Sequence, residues 1–208
     1  LVTGGAGYIG SHVVEMLGER GHNVVVYDNL STGHRDAVLC GELVVGDLAN
    51  RQLLETVVND ARPDAVMHFA ASIEVGESVV DPVKYYQNNT RNTLNLLRVL
   101  ADRNIGNFIF SSTAAVYGNP SKVPIPEDAP LQPINPYGRS KTFVEHALLN
   151  MTATNGFRFV SLRYFNAAGA DPKGRLGERH DPESHLIPLV LKAAKGERFL
   201  YAPPLLPA

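Results

Sequence analysis

Leu1–Gly10 reads LVTGGAGYIG, an apolar start broken at once by glycines, with aromatic and aliphatic residues resuming among them. Two templates overlap here: Gly5-x-Gly7-x-x-Gly10 and Gly4-x-x-Gly7-x-x-Gly10. Either would turn a strand tightly into a helix, let backbone N–H groups approach a pyrophosphate, and leave the positive helix N-terminus facing the phosphates. A plain glycine-rich bend between strand and helix uses the same residues, so the stretch alone leaves both readings open.

The residues beyond the turn decide the fold class. Short apolar runs rich in β-branched and aromatic residues recur at Asn23–Tyr27 (NVVVY), Leu43–Val45, Ala65–Phe69 (AVMHF), Asn107–Ser111 (NFIFS) and Phe159–Leu162. Such runs suit strands buried on both faces. Helical patterns lie between them at Ile9–Arg20, Gln52–Asn59, Pro82–Asp102 and Tyr137–Thr154, the third with Leu94, Leu97 and Leu100 expected on one face. Asp81 ahead of Pro82 reads as an N-cap, and Gly21 after Glu19-Arg20 reads as a helix stop. The alternation predicts an α/β fold, a doubly wound parallel sheet with helices on both faces. From Asn166 the rhythm changes to a loop rich in glycine, proline and charge (residues 166–184), followed by a helical run from His185 to Lys195. Residues 1–165 are therefore read as a nucleotide-binding domain and 166–208 as the start of a second lobe.

Composition narrows the function classes. The chain has 208 residues and a formal net charge of -2, with Lys and Arg scattered rather than striped, which argues against nucleic acid and anionic membrane as partners. Cys40 is the only cysteine, read as a small apolar core residue in a reducing, cytoplasmic setting. No apolar run approaches the ~20 residues needed to span a bilayer, and no metal ion is expected. Both ends read as cut: Leu1–Thr3 is short for a first strand, and FLYAPPLLPA at 199–208 suits neither a helix nor a central strand.

Residues able to carry chemistry cluster at the ends of the strand-like runs. Asp28 ends the second strand about 20 residues past the turn, where a carboxylate accepts both ribose hydroxyls of an adenosine and repels a 2′-phosphate, favouring NAD over NADP. Asp47 follows the third strand and could reach the adenine. Tyr137 and Lys141 in PYGRSK stand four apart on a helix, so an ammonium could lower the phenol's pKa and let it take a proton from a substrate hydroxyl. Ser111, Ser112 and Thr113 close a strand at the sheet edge where ligands of such folds bind, and Thr113 is the preferred hydroxyl bridge to substrate.

Assembled in order, VTGGAGYIGSH, YDNLSTGH, GDL, HFAASIEVGESV, DPVKYYQNN, FIFSSTAAVYG, NPYGRSK, LRYFNAAGADPKGRLGE and HLIPLVL resemble the extended short-chain dehydrogenase/reductase family, and within it the UDP-glucose 4-epimerases. The resemblance implies a Rossmann-like fold and a held NAD that takes hydride from C4 of a UDP-hexose and returns it to the other face. It implies Tyr137 as base, Lys141 as the residue lowering its pKa and holding the nicotinamide ribose, and Thr113 as the bridging hydroxyl. Around NAD it implies Gly4, Gly7, Tyr8, Ile9 and Gly10 at the phosphates, Asp28 and Asn29 at the adenosine ribose, and Asp47 and Leu48 at the adenine. Phe69, Ala70, Ala71, Asn88 and Tyr164 would line the rest. Asn166 would meet the substrate diphosphate, with His185 and Leu186 near the uridine; His185 stands where some members carry Asn, and by its residues alone reads as a helix-start residue. Ile73 replaces a Lys found in some members near the pyrophosphate.

The resemblance further implies a homodimer through the helices at Pro82–Asp102 and Tyr137–Thr154. Related 4,6-dehydratases place acidic residues just after the Ser/Thr, whereas this chain has Ala114 and Ala115, which disfavours elimination. Epimerases of uronates or N-acetylhexosamines, and a non-catalytic NAD-binding fragment, stay open. The family's substrate lobe runs past this length, so an incomplete lobe, weakened NAD binding and slight turnover are expected.

Overall fold

The computed structural model describes residues 1–197, so the proline-rich stretch at 199–208 lies outside the described residues. Chain contacts divide it into two units, Leu1–Ala167 and a second from Ala168 onward.

The first unit is built on a six-stranded sheet in the order β3-β2-β1-β4-β5-β6, every pairing parallel. Its strands are β1 (Val2–Thr3), β2 (Val25–Asp28), β3 (Glu42–Val45), β4 (Val66–His68), β5 (Asn107–Ser111) and β6 (Arg158–Leu162). Val2 sits between Val26 and Met67, and Phe108 between Val66 and Phe159. Parallel strands need crossovers, and here these are α1 (Tyr8–Glu19), α2 (Arg51–Ala61), the run α3 (Val75–Val80), α4 (Pro82–Tyr85) and α5 (Asn92–Asp102), and α6 (Pro136–Asn155). The doubly wound architecture follows from where apolar side chains meet. Leu54, Val57 and Val58 of α2, Leu96, Leu97 and Leu100 of α5, and Val144 and Leu148 of α6 pack with Val66, Phe108 and Phe110. A second cluster joins Val14 of α1 to Val2, Val24 and Val26.

Side-chain caps fix the helix starts. Asn50 accepts from Leu53 N, Asp81 from Lys84 N and Asn135 from Gly138 N, with Pro136 opening α6. Three local expectations are corrected. The run expected as one helix over Pro82–Asp102 is interrupted by a wider π turn at Tyr86–Arg91. Leu94 does not share a face with Leu97 and Leu100; it is 42% exposed, because the buried stripe runs Thr93, Leu96, Leu97, Leu100 at i, i+3, i+4, i+7. Cys40 is only half-buried, its thiol donating to Val14 O at 3.3 Å on the edge of the second cluster.

The second unit holds an Ala170–Gly177 bridge, an Asp171–Arg175 ion pair and α7 (Leu186–Ala194), with His185 as its N-cap. Among the described residues no helix is long and apolar enough to cross a membrane.

Candidate functional site

Because all six strands are parallel, their C-terminal ends share one edge of the sheet, and the order reverses between β1 and β4. That edge, at a reversal point, is where open α/β sheets bind ligands. Gly4–Gly10 follow β1, Asp28 and Asn29 end β2, Asp47 and Leu48 follow β3, Phe69–Ala71 follow β4, Ser111–Thr113 end β5, and Tyr164 and Asn166 follow β6.

The turn after β1 separates glycines the protein needs from one it does not. Gly4 has φ +72°, and a Cβ there would run into the backbone at Phe69 and Ala70; a Cβ on Gly10 would strike Gly4. Gly7 has an ordinary φ of -80°, and a Cβ on it would meet only Gly4 O, at 3.4 Å. Gly7 is nevertheless the N-cap of α1, which has no side-chain cap and no acid in its first turn. An uncapped N-terminus beside a cradle that a Cβ would fill suits a phosphate held against backbone N–H groups.

Asp28 is buried, with Oδ2 accepting from Ala6 N at 2.9 Å and Oδ1 from Leu30 N at 2.8 Å. Each oxygen keeps a further lone pair for a ribose hydroxyl. Asn29 donates to Asp47 Oδ2 at 2.7 Å, and Tyr27 donates to the Asp47 carbonyl at 2.8 Å, so the ends of β2 and β3 are tied together.

The three hydroxyls after β5 have three different partners. Ser111 pairs with the Tyr164 phenol, Ser112 donates to Glu145, and Thr113 accepts from Ala115 N at 3.1 Å. Of the three, Thr113 is the one whose hydroxyl lies close enough to the tyrosine on α6 to favour its phenolate. Lys141, one turn beyond Tyr137, is 2% exposed and donates to the Ser111 carbonyl at 2.8 Å. Its ammonium lies 5.0 Å from the Phe110 ring centre and 6.0 Å from that of Tyr137.

The sequence reading has Lys141 lowering the phenol's pKa. In the chain alone burial dominates both groups. It pulls the lysine down to about 7 and pushes the Tyr137 phenol up, with the nearby Thr113 hydroxyl pulling the phenol the other way. The physical reason is shared: leaving water penalises whichever form is charged, which is phenolate for one and ammonium for the other.

Sequence reasoning missed the supporting contacts. His68 is buried between Thr3 Oγ1 (2.6 Å) and Thr93 Oγ1 (2.7 Å). Thr93 gives its single hydroxyl proton to Asn89 O, so His68 Nε2 is the donor to Thr93. Burial brings the ring's pKa down to about 3 and keeps it neutral, which leaves Nδ1 to accept from Thr3. Asn89 accepts from Ser72 N at 2.8 Å and donates to Ser72 O at 2.9 Å, and Asn88 donates to Ser72 Oγ at 3.0 Å. The π turn thus holds the loop carrying Ala70 and Ala71. Behind Ser112, Arg163 grips Glu145 with two nitrogens, at 2.6 and 3.1 Å, and donates to the Tyr117 phenol at 2.8 Å.

Of the residues the resemblance assigns to substrate, Asn166 is exposed at the end of the first unit. His185 and Leu186 belong to the second, where Leu186 is 70% exposed and His185 turns Nδ1 toward Glu178 and Glu183.

Comparison with known proteins gives this arrangement a context. The chain is 53% identical over 198 residues to a protein of Rhizobium meliloti (strain 1021) named UDP-glucose 4-epimerase, covering 95% of this chain and 60% of that protein. The structure of UDP-glucose 4-epimerase from Brucella ovis in complex with NAD superposes with a TM-score of 0.93 at 52% identity, over 95% of this chain and 61% of the other. The structure from Bifidobacterium longum in complex with NAD+ and UDP gives 0.89 at 39% identity, over 95% and 62%. The chain spans about 60% of the length of these relatives. Its residues 1–206 match the sequence profile of a single family, and on that extent the chain belongs to the NAD dependent epimerase/dehydratase family.

Proposed function

We propose that this chain carries the cofactor-binding and proton-transfer part of an NAD-dependent UDP-hexose 4-epimerase. The observation that carries the reading is the Thr113 hydroxyl close to the Tyr137 phenol with the buried Lys141 one turn away, set on the sheet edge that also bears the Gly4–Gly10 turn. The relatives named UDP-glucose 4-epimerase, one solved with NAD and another with NAD+ and UDP, point the same way.

In this reading Gly4, Gly7, Tyr8, Ile9 and Gly10 hold the NAD pyrophosphate, Asp28 and Asn29 the adenosine ribose, and Asp47 and Leu48 the adenine. Phe69, Ala70, Ala71, Asn88 and Tyr164 line the remainder. When bound, NAD supplies the acceptor and donor of hydride. Tyr137 takes the proton of the sugar 4-hydroxyl and later returns it, Thr113 bridges the phenol and the substrate oxygen, and Lys141 holds a ribose and stabilises the phenolate. Inversion at C4 needs nothing more than reversible transfer at that carbon and rotation of the keto sugar between transfers. Ala114 and Ala115 offer no acid or base for an elimination across C5 and C6.

Asn166 and Leu186 would contact the diphosphate and the uridine. His185 would reach the uracil only with the ring edge opposite Nδ1. The chain would pair as a homodimer through the helical run Pro82–Asp102 and α6. Activity is tested by interconversion of UDP-galactose and UDP-glucose with added NAD. Tyr137→Phe is expected to lower turnover by about 100-fold or more, the usual worth of a placed acid–base group. Equal rates for the two proteins would remove Tyr137 as the base.

A further inference from the structure

Glu178-x-His180-x-x-Glu183-x-His185 takes no part in the proton-transfer site. The second unit folds these four side chains inward, so that one donor atom of each lies within 4.8 Å of those of the other three. His185 Nδ1 is 2.8 Å from Glu178 Oε1 and 3.3 Å from Glu183 Oε1. His180 Nδ1 is 3.3 Å and 4.0 Å from the same two oxygens. The imidazole centres are 4.9 Å apart.

These are ion-pair distances for a protonated imidazole, yet neither buried Nδ1 atom makes a hydrogen bond. The side chain of Glu183 is only 3% exposed and that of Glu178 11%. Two sheltered carboxylates this near repel each other and need positive charge between them.

Donors that converge on a common point without bonding to one another describe a coordination sphere. For a tetrahedral ion with bonds of about 2.0–2.1 Å, the ligand-to-ligand edges are about 3.3–3.4 Å. The four nitrogen–oxygen separations, from 2.8 to 4.0 Å with two at 3.3 Å, scatter around that edge. Two imidazole nitrogens and two carboxylate oxygens are borderline donors of the kind Zn2+ takes.

We propose that Glu178, His180, Glu183 and His185 bind one divalent transition-metal ion, Zn2+ by geometry and donor type. Four protein ligands leave no open position, so the site is structural. It closes the loop between the Ala170–Gly177 bridge and α7, and through His185 it anchors the N-cap of that helix. Ordering this segment needs no cofactor and no substrate, and the site stands whether or not the chain is an epimerase.

The test uses the untagged full chain at pH 7.5, loaded with Zn2+ and passed through gel filtration. One equivalent of zinc is expected to be retained, and Co2+ in its place should give the intense visible absorption of a tetrahedral ion. His180→Gln and Glu183→Gln should each weaken Zn2+ binding by at least about tenfold, the scale on which even outer-shell changes act. Glu183→Gln keeps a side-chain acceptor for Ser184 N and His185 N, now at 3.0 and 2.9 Å from Glu183 Oε1, so it isolates the loss of charge from loss of the loop. Should His180→Gln fail to fold, the Co2+ spectrum of the unaltered chain and Glu183→Gln decide the matter. No retained zinc, equal affinity in the variants, or an octahedral Co2+ spectrum would overturn the site.

Discussion

Glu145 is a buried charge outside the proposed proton transfer, and it determines where Ser112 and Arg163 sit. Its carboxylate accepts from the Ser112 hydroxyl on one oxygen and from the Arg163 guanidinium on both. Removing it strands the guanidinium and the serine together. Glu145→Ala is expected to destabilise the chain by about 3 kcal/mol, the lower part of the range for a broken buried pair, because the Arg163 side chain keeps 24% exposure. Urea unfolding reads the loss, and a change under about 1 kcal/mol would mean that the pair holds nothing together. Replacing both partners, as in Glu145→Leu with Arg163→Met, should recover most of the loss, since no orphan charge remains. Sequence reading reached Tyr137 and Lys141 because their relation is local, one helical turn. Glu145 and Arg163 were out of its reach: they meet across 18 positions and two elements, and an isolated Glu on a helix looks the same whether it faces solvent or the core. Ser111, Ser112 and Thr113 fall between these cases, since the sequence places all three at the strand end while their partners belong to distant segments.

The long helical pattern at Pro82–Asp102 was legible as an element, with its Asp81 cap, but its interior was not. Nothing in the apolar periodicity marks a π turn, which adds a residue so that Asn88 and Asn89 can both address Ser72. Such wide turns are retained where side chains need that re-aiming. The same face of the unit leaves apolar side chains uncovered in this chain: Val79 is 64% exposed, Val80 86%, Val83 60% and Phe143 56%. Val83 and Phe143 lie on the helices by which the proposed homodimer would pair, and α3, which carries Val79 and Val80, packs on both. Val80→Glu combined with Val83→Glu would bury unpaired carboxylates on pairing, costing several kcal/mol. The dissociation constant should then rise by at least about 100-fold, 1.4 kcal/mol being a factor of ten. Sedimentation of the parent chain as a dimer and of the variant as a folded monomer is the expected result. A parent chain that sediments as a monomer at the same concentration removes the pairing.

At the scale of the molecule, alternation of strand-like and helical runs sufficed for a parallel doubly wound sheet, since βαβ crossovers admit few other arrangements. The second unit was legible only as a change of composition, because the Glu178, His180, Glu183 and His185 cluster among its described residues is built of polar side chains that carry no periodicity. The stability of the whole fold also bears the imprint of the site. Lys141 has a pKa of about 7 in the folded chain against an ordinary 10.5. Below about pH 7 both folded and unfolded chains hold the proton, and the fold carries the full penalty of the buried charge. Between 7 and 10.5 the unfolded chain holds the proton and the folded chain releases it, so stability rises with pH, by up to about 1.4 kcal/mol per unit from this group. Tyr137 and Tyr164, whose pKa values burial raises, act oppositely at the alkaline end, where unfolded phenols lose protons that folded ones keep. The tyrosines stay protonated over about pH 7.5–9.5, and the Leu1 amine, lowered by burial, and the Cys40 thiol, raised by it, act alike in parent and variant there, so in the absence of NAD the difference between the two chains isolates the lysine. Urea unfolding of Lys141→Met across that window should lack the lysine's slope, so that the parent chain gains on the variant by about 2 kcal/mol over two pH units. Loss of the bond to the Ser111 carbonyl shifts the variant by a constant amount and leaves the slope untouched. Parallel curves for the two proteins would mean that Lys141 keeps its proton in the fold throughout, and that burial does not set its charge.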